Sequence, residues 1–377
     1  MDFTFGEDQE LLRLTTRAFL AKHHPIERVR AVLEATDKVD RDVWRKGAEL
    51  GWTAMLIPAE YHGGSITDQP IVDLVPLAEE LGRVLYPGPF VETNLVADAI
   101  ARDGTDNQRR ELLGPIARGE SLAAWCLSGD ATVDRGAVEV RASRNGERWM
   151  LDGRVGCVLN AGDADLLLVR AQSEEEDLSF LVPLPTPGVS VRTLRGLDLT
   201  RSLGEITFDG ASVAESTLLA GTATTDRLLA LAVVLHAAEA VGAAELVLDT
   251  TVEYAKARVQ FGRPIGSFQA IKHRLANLKM TVEAMRAATH YAALALDDGL
   301  DDATAAVHTA GAYVADAFAA VCGEALQLHG GIGFTWEHNI HLFLRRAKVG
   351  QVLYGSPAWH RERLVCALDQ APPCGGA

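Results

Sequence analysis

Cysteine is scarce and scattered, five residues in 377 at positions 126, 157, 322, 366 and 374, with no CxxC pair among them. That excludes a zinc cluster by spacing and a disulfide framework by number, leaving buried or idle thiols and no expected metal. Positive charge is short as well: 36 Lys and Arg against 51 Asp and Glu give a formal charge of −15. A phosphate backbone is repelled over most of such a surface, so nucleic acid is not an expected partner. The chain opens Met1-Asp2-Phe3-Thr4-Phe5-Gly6-Glu7-Asp8, without a basic n-region or an apolar h-region, and a signal peptide is not expected. The longest apolar run, residues 228–238, is interrupted by His236 and falls short of the about 20 residues that cross a bilayer. A cytoplasmic protein with no membrane partner is the expectation.

What the chain has in quantity is apolar side chains, 48% of the total, enough for a large core and for two or three structural domains. Between Asp8 and Gly51 they recur at helical spacing: Leu11, Leu12, Leu14, Phe19 and Leu20, later Val43, Trp44 and Leu50. Helices follow from that period. More are expected over residues 75–85, with Pro76 in the first turn, over 95–102 and over 107–118. Residues 1–120 thus read as an all-helical domain.

Between Ser121 and about Leu219 the period changes to two, in residues 137–142, 166–170, 179–183 and 189–192, which predicts short strands. Arg144-Asn145-Gly146 and Asp152-Gly153 read as turns, the first a hairpin signal. Residues 121–222 are therefore expected to form a small antiparallel β domain, with the acidic run 174–177 as a solvated loop. From Asp226 helical patterning returns, and residues 228–258 contain no proline and one glycine, Gly242. A helix of that length, roughly 45 Å at about 1.5 Å per residue, needs neighbours on several sides. Helices over 268–296, 302–327, 339–352 and 360–368 complete a bundle spanning residues 223–377, whose tail 372–377 reads as disordered. The fold class is α+β.

Two segments could carry chemistry. Arg258 closes the long helix, and Gln260-Phe261-Gly262 followed by Pro264 turn the chain sharply. A guanidinium there can grip a pyrophosphate with two hydrogen bonds, or it can cap the last carbonyls of its own helix. Residues 327–333, Gln327-Leu328-His329-Gly330-Gly331-Ile332-Gly333, place three glycines in four positions. Backbone N–H groups there can approach a ligand with no Cβ in the way, or the glycines cap a helix and turn the chain. An imidazole at His329 is expected to hydrogen-bond a backbone carbonyl rather than act as a base.

Extended through Ile265-Gly266-Ser267-Phe268-Gln269-Ala270-Ile271-Lys272-His273 and through Phe343-Leu344-Arg345-Arg346-Ala347-Lys348, these segments resemble the acyl-CoA dehydrogenase family, over nearly the whole chain. The resemblance implies an N-terminal helical domain, a middle β domain, a C-terminal four-helix bundle and FAD as cofactor. It implies that Arg258, Gln260, Phe261, Phe268 and Gln269, with Gln327, Leu328, Gly330 and Gly331, reach the FAD held mainly by a neighbouring subunit. The half of the site that family members supply in cis is eroded. Where they carry Thr-Glu-Pro-Gly-Ala-Gly-Ser-Asp, this chain has Trp125-Cys126-Leu127-Ser128-Gly129-Asp130-Ala131-Thr132; where they carry Trp-Ile-Thr-Asn, it has Cys157-Val158-Leu159-Asn160, and only Asn160 to Asp165 retain the pattern.

The proton acceptor is missing too. Taking the α proton of an acyl thioester while hydride leaves the β carbon for the flavin requires a positioned carboxylate in a dry pocket. The family sets a glutamate in one of two places, and this chain has Gly355 in one and Ala232 in the other. Pro357, Ala358 and Trp359 stand where Thr and Ser are usual, and Arg346 where aspartate is. Asp226 or Glu239, on the same long helix, could supply a relocated base, although Asp226 reads more simply as an N-cap.

The resemblance thus points to the glutamate-lacking subunit of the heteromeric α2β2 acyl-CoA dehydrogenases of actinobacterial steroid and cholesterol degradation. Such a subunit completes the FAD site of a homologous catalytic chain that oxidises an acyl-CoA, with a steroid side chain, and passes electrons to an electron-transfer flavoprotein. A homotetramer using Asp226 or Glu239 is one alternative. Other flavin chemistry, such as nitroalkane oxidation, would want an aspartate where Gly355 stands. A non-catalytic binding module of the same fold is a further alternative.

Overall fold

The computed structural model describes residues 5–35, 38–127, 140–174, 176–219 and 225–370. They fall into two compact units, one of the described residues within 5–26, 75–86 and 233–370, the other of those within 27–74 and 87–232. The helices are α1 (Glu7–His23), α2 (Val29–Glu34), α3 (Arg41–Ala48), α4 (Pro70–Arg83), α5 (Phe90–Asp103), α6 (Asp106–Gln108), α7 (Gly114–Ala117), α8 (Thr225–Ala257), α9 (Gln269–Asp297), α10 (Ala303–His329), α11 (Ile340–Gly350) and α12 (Pro357–Gln370). The strands are β1 (Ala123–Cys126), β2 (Val140–Asn145), β3 (Arg148–Leu159), β4 (Leu166–Gln172), β5 (Asp177–Pro183), β6 (Val189–Leu194), β7 (Leu203–Ala214), β8 (Val259–Gln260) and β9 (Arg263–Pro264).

In the second unit the sheet runs β1-β4-β2-β3-β7-β6, with β5 on β4. The expected hairpin is there: β2 meets β3 from Val140↔Gly153 to Asn145↔Arg148, closing a two-residue turn at Gly146-Glu147 with Gly146 at φ +64°. Three expectations need correction. The sheet is mixed, because β4 runs parallel to both β1 and β2, and parallel neighbours are reached by long connections rather than tight turns. Asp152-Gly153 is no turn but lies inside β3, where the register on β7 shifts between Leu151 and Gly153. That is a bulge, and Gly153 at φ +138° supplies the conformation it needs. Finally, α4 starts at Pro70, so Pro76 sits in its interior. The Asp73 carboxylate explains the earlier start: it accepts hydrogen bonds from Ser65 Oγ (2.6 Å), the N–H groups of Ile66 (2.7 Å) and Thr67 (3.0 Å), and Thr67 Oγ1 (2.8 Å), gathering the preceding loop onto the first turn. Residues 137–139 of the expected first strand, and the tail 372–377, lie outside the described residues.

In the first unit α4 and α8 touch backbone to backbone. A Cβ on Gly242 would lie 1.8 Å from the carbonyl oxygen of Glu79, and one on Gly82 2.0 Å from that of Glu239. Around this crossing Glu79 and Glu80 are buried. Arg13 (3.1 Å) and Arg17 (2.6 Å) of α1 bond Glu80, His290 of α9 lies 3.2 Å from Glu79, and Arg286 of α9 bonds Glu245 of α8 at 3.0 Å. Burial alone would raise the Glu245 carboxyl, but Arg286, Arg83 and Arg17 together hold it below its ordinary value. The network ties α1, α4, α8 and α9 at one level of the bundle. Two helical stretches, α8 and residues 303–334, are long and apolar enough to cross a membrane, unlike the short run read from sequence; 83% and 56% of their most apolar windows are buried within the protein. Their apolar surface is largely used in the bundle core.

Candidate functional site

The polar end of α8 runs into a tight hairpin. Val259 pairs with Pro264 and Gln260 with Arg263 across Phe261-Gly262, and the N–H of Ile265 donates to the carbonyl of Arg258 at 2.8 Å. Both turn residues have positive φ, +52° for Phe261 and +78° for Gly262. Glycine takes that conformation freely, whereas an aromatic residue in it is strained. Phe261 is nevertheless 93% exposed, touching its own chain edge-on at Phe268, 6.2 Å between centroids. Phe268 in turn carries the Arg263 guanidinium 4.0 Å over its ring and caps α9, which begins at Gln269. Gln260 donates to the carbonyl of Val259 (2.8 Å), and Gln269 pairs with His273 (2.9 Å). The Arg258 side chain is exposed and finds no acceptor among the described residues. The alternative in which it caps its own helix is therefore not realised.

The glycine segment ends α10. Gly330 takes φ +63°, ψ −143°, a conformation that favours glycine, and a Cβ on Gly330 or Gly331 would meet nothing within 4 Å. Their backbone thus faces open space, as the motif requires. Leu328 is buried and anchors the segment. His329 is buried, with Nδ1 2.8 Å from the carbonyl of Ala325, the structural role expected of it. Burial pushes its pKa down, a backbone hydrogen bond partly opposing. Sequence reasoning passed over Tyr254, whose ring stacks on His329 at 4.5 Å while its hydroxyl donates to the His329 carbonyl at 3.2 Å. This residue joins the two motifs. Its position one helical turn before Arg258 was the available signal.

Ala232 and Gly355 stand where the resemblance sets the glutamate. Ala232 is fully buried, and Gly355 has φ +113°. Of the two candidate substitutes, Asp226 is exposed in the first turn of α8, whereas Glu239 is buried with a carboxylate oxygen 3.4 Å from His236 Nδ1. His236, Tyr354, Gly355 and His360 line a mainly apolar pocket between α8, α10, α11 and α12, of about 380 Å³ with the open solvent at its mouth included.

Burial and then the neighbouring His308, whose Nδ1 is 3.0 Å from that of His360, push the His360 imidazole down to about 4, against a backbone hydrogen bond with Tyr354 that raises it. An unfolded imidazole binds a proton near pH 6.5, so between there and about pH 4 the unfolded chain holds more protons and stability falls as pH falls. At about pH 5 the loss is about 2 kcal/mol. Thermal midpoints of the wild type and His360→Gln measured from about pH 7.5 to about pH 5 should show the shallower slope in the variant; equal slopes would refute the assignment.

In the second unit, Trp125 and Cys126 are buried in β1, and residues 128–132 lie outside the described residues. Cys157 sits at φ +55° where the β3–β7 register shifts. The retained segment Asn160 to Asp165 has a structural task. Arg41 bonds the Asp165 carboxylate (2.8 and 3.0 Å) and the Asp163 carbonyl (2.8 Å), and Asp165 accepts the N–H of Leu122 (2.9 Å) where β1 begins. Burial pushes the thiols of Cys126 and Cys322 up, which fits idle core cysteines.

The family models for the acyl-CoA dehydrogenase N-terminal and C-terminal domains match residues 6–120 and 220–368. Acyl-CoA dehydrogenase IpdE2 of Mycolicibacterium smegmatis is 34% identical over 363 residues, 95% of this chain and 98% of that protein. A chain of the ChsE4-ChsE5 complex from Mycobacterium tuberculosis superposes with a TM-score of 0.89 at 29% identity, covering 99% of this chain and 100% of that one. A variant of the Tcur3481-Tcur3483 steroid ACAD gives 0.87 at 30% identity, covering 97% and 99%.

Proposed function

This chain belongs to the acyl-CoA dehydrogenase family, and we propose that it is the base-lacking subunit of a heteromeric, α2β2 member. One observation carries the reading: Gly355, which stands where the resemblance sets the proton acceptor, has a φ of +113° that suits glycine and strains any carboxylate-bearing residue. A chain so altered cannot take the α proton itself, yet it keeps a set of groups aimed outward.

Those groups fit a dinucleotide. Arg258 offers a forked donor without an acceptor among the described residues, Gln260, Gln269 and Gln327 are exposed, and Gly330 and Gly331 present bare backbone. Arg258 would hold the pyrophosphate of FAD, with Phe261, Phe268 and the amide side chains around the adenosine part. FAD seated mainly in the homologous catalytic subunit would supply the hydride-accepting chemistry of acyl-CoA oxidation. This chain's part is to grip and orient the cofactor and to keep water from its edge. Val259, Ile332, Phe334 and Trp336 are also exposed, and in the first eleven residues of α9 only Leu278 is buried. Apolar groups left bare in this way want a protein neighbour.

The likeness to a chain of the ChsE4-ChsE5 complex and to a steroid ACAD supports two finer assignments, a homologous partner and a steroid-derived acyl-CoA substrate. An electron-transfer flavoprotein as acceptor, and a cytoplasmic location, complete the proposal. The competing reading, a homotetramer with its own base, has Glu239 in its favour because that carboxylate is buried beside His236; exposed Asp226 lacks the dry setting that raises a carboxylate toward neutrality.

Expression with and without a homologue bearing the glutamate separates the two. The chain alone should show no acyl-CoA oxidation and little flavin, and the co-purified complex should carry about one FAD per two chains and turn over. Turnover by the chain alone, abolished in Glu239→Gln, would establish the homotetramer instead.

A further inference from the structure

Gly355 is more than a lost glutamate. A Cβ at this position would lie 2.6 Å from Trp359 Cε3 and 2.9 Å from His360 Nε2, closer than real Cβ contacts. Neither ring is a loose end. Pro357 opens α12, and Ser356 fixes its first turn by accepting the Trp359 N–H on its hydroxyl (3.2 Å) and the His360 N–H on its carbonyl (2.9 Å). Trp359 lies edge-on to His308 at 5.4 Å and carries the Arg363 guanidinium at 5.2 Å. His360 is buried and meets His308 Nδ1 to Nδ1 at 3.0 Å. On α10, Gly311 makes room for the same ring, since a Cβ there would come within 2.6 Å of the imidazole. Two glycines, on two elements, thus leave the space that one histidine fills.

We infer that Trp359 and His360 form a plug in the space that a side chain at position 355 would need, so that this subunit has closed its proton-abstracting position rather than only vacated it. The inference rests on the base-lacking reading above and adds a consequence. A glutamate restored at position 355 alone meets two held rings, and the complex keeps one working centre for each pair of chains.

The test is steric and needs no turnover. In the full chain, Gly311→Ala is expected to lower the thermal midpoint by about 5 °C, and in a His360→Ala background the same change should raise it slightly, since alanine is the better helix former once the ring is gone. Gly355→Ala should likewise lose at least half of its penalty in a Trp359→Ala/His360→Ala background, the remainder being the strain of positive φ. If Gly355→Ala alone does not fold, its recovery in that background supports the plug, and failure in both backgrounds counts against it. Equal penalties with and without the rings would overturn the proposal. In the co-purified complex, Gly355→Glu should create no second active centre, so turnover per complex does not rise above that of the wild type, whereas a gain of a second active centre would refute the closure. Activity of the wild-type chain alone would instead sink the underlying reading and leave the steric result standing.

Discussion

Replacing Gly242 by alanine is expected to destabilise the chain by more than about 3 kcal/mol, while Gly323→Ala should stabilise it by roughly 0.5–1 kcal/mol. The chemistry of the two changes is the same and both glycines lie inside long helices. What differs is what the new methyl meets. At Gly242 it would stand 1.8 Å from the carbonyl oxygen of Glu79, and at Gly323 nothing lies within 4 Å. A backbone carbonyl cannot swing aside as a side chain can, so α4 and α8 must part, and the buried Glu79 and Glu80 would lose their register on Arg13, Arg17, Arg286 and His290. Leaving buried carboxylates with partners out of reach costs more than the overlap itself. At Gly323 only the unfolded chain's excess freedom is removed. Chemical denaturation of the two variants of the isolated chain checks both signs, and a Gly242→Ala midpoint within about 1 kcal/mol of wild type would show that the helices are not in contact.

Neither that crossing nor its ion pairs could be read from the sequence, and the reason is instructive. Period and composition report what one segment does by itself. They therefore located α8 from its proline-free run, the β2–β3 hairpin from Asn145-Gly146 and the helix stop before Gly330. They misplaced the start of α4, because the interaction that nucleates it is the Asp73 carboxylate reaching back to Ser65, Ile66 and Thr67, a contact with no periodic signature. They read Gly153 as a turn because a bulge and a turn use the same residue for the same positive φ. They gave an antiparallel sheet because alternation says nothing about which distant strand lies alongside, and β4 lies between β1 and β2. The resemblance singled out Arg258 and Phe261, whose side chains are exposed, but not Tyr254, which joins their two segments through His329. The closure of position 355 was half legible: the glycine could be seen, while its fill by Trp359 and His360 depends on how α12 packs against α10.

Arg258→Ala in the co-purified complex should weaken FAD binding by roughly 10- to 100-fold, the worth of a forked, charge-assisted contact of about 1.5–3 kcal/mol, and should leave the thermal midpoint of the chain alone unchanged, since the exposed guanidinium has no acceptor among the described residues. Arg258→Lys keeps the charge and loses the fork, so an intermediate loss is expected. Phe261→Gly supplies the sharper contrast. Phenylalanine at φ +52° stores strain of about 1 kcal/mol or more, which glycine relieves, and its ring, 93% exposed, gives up little contact within the chain when deleted. The chain alone should therefore become more stable, and the complex should bind flavin less well. Opposite signs from one substitution, read by a thermal midpoint in one case and by flavin fluorescence titration of the apo-complex in the other, are what a hairpin strained for another chain's benefit requires. A loss of stability in the lone chain, or flavin affinity unchanged in the complex, would mean that Phe261 serves its own fold and that Arg258 must find its acceptor elsewhere.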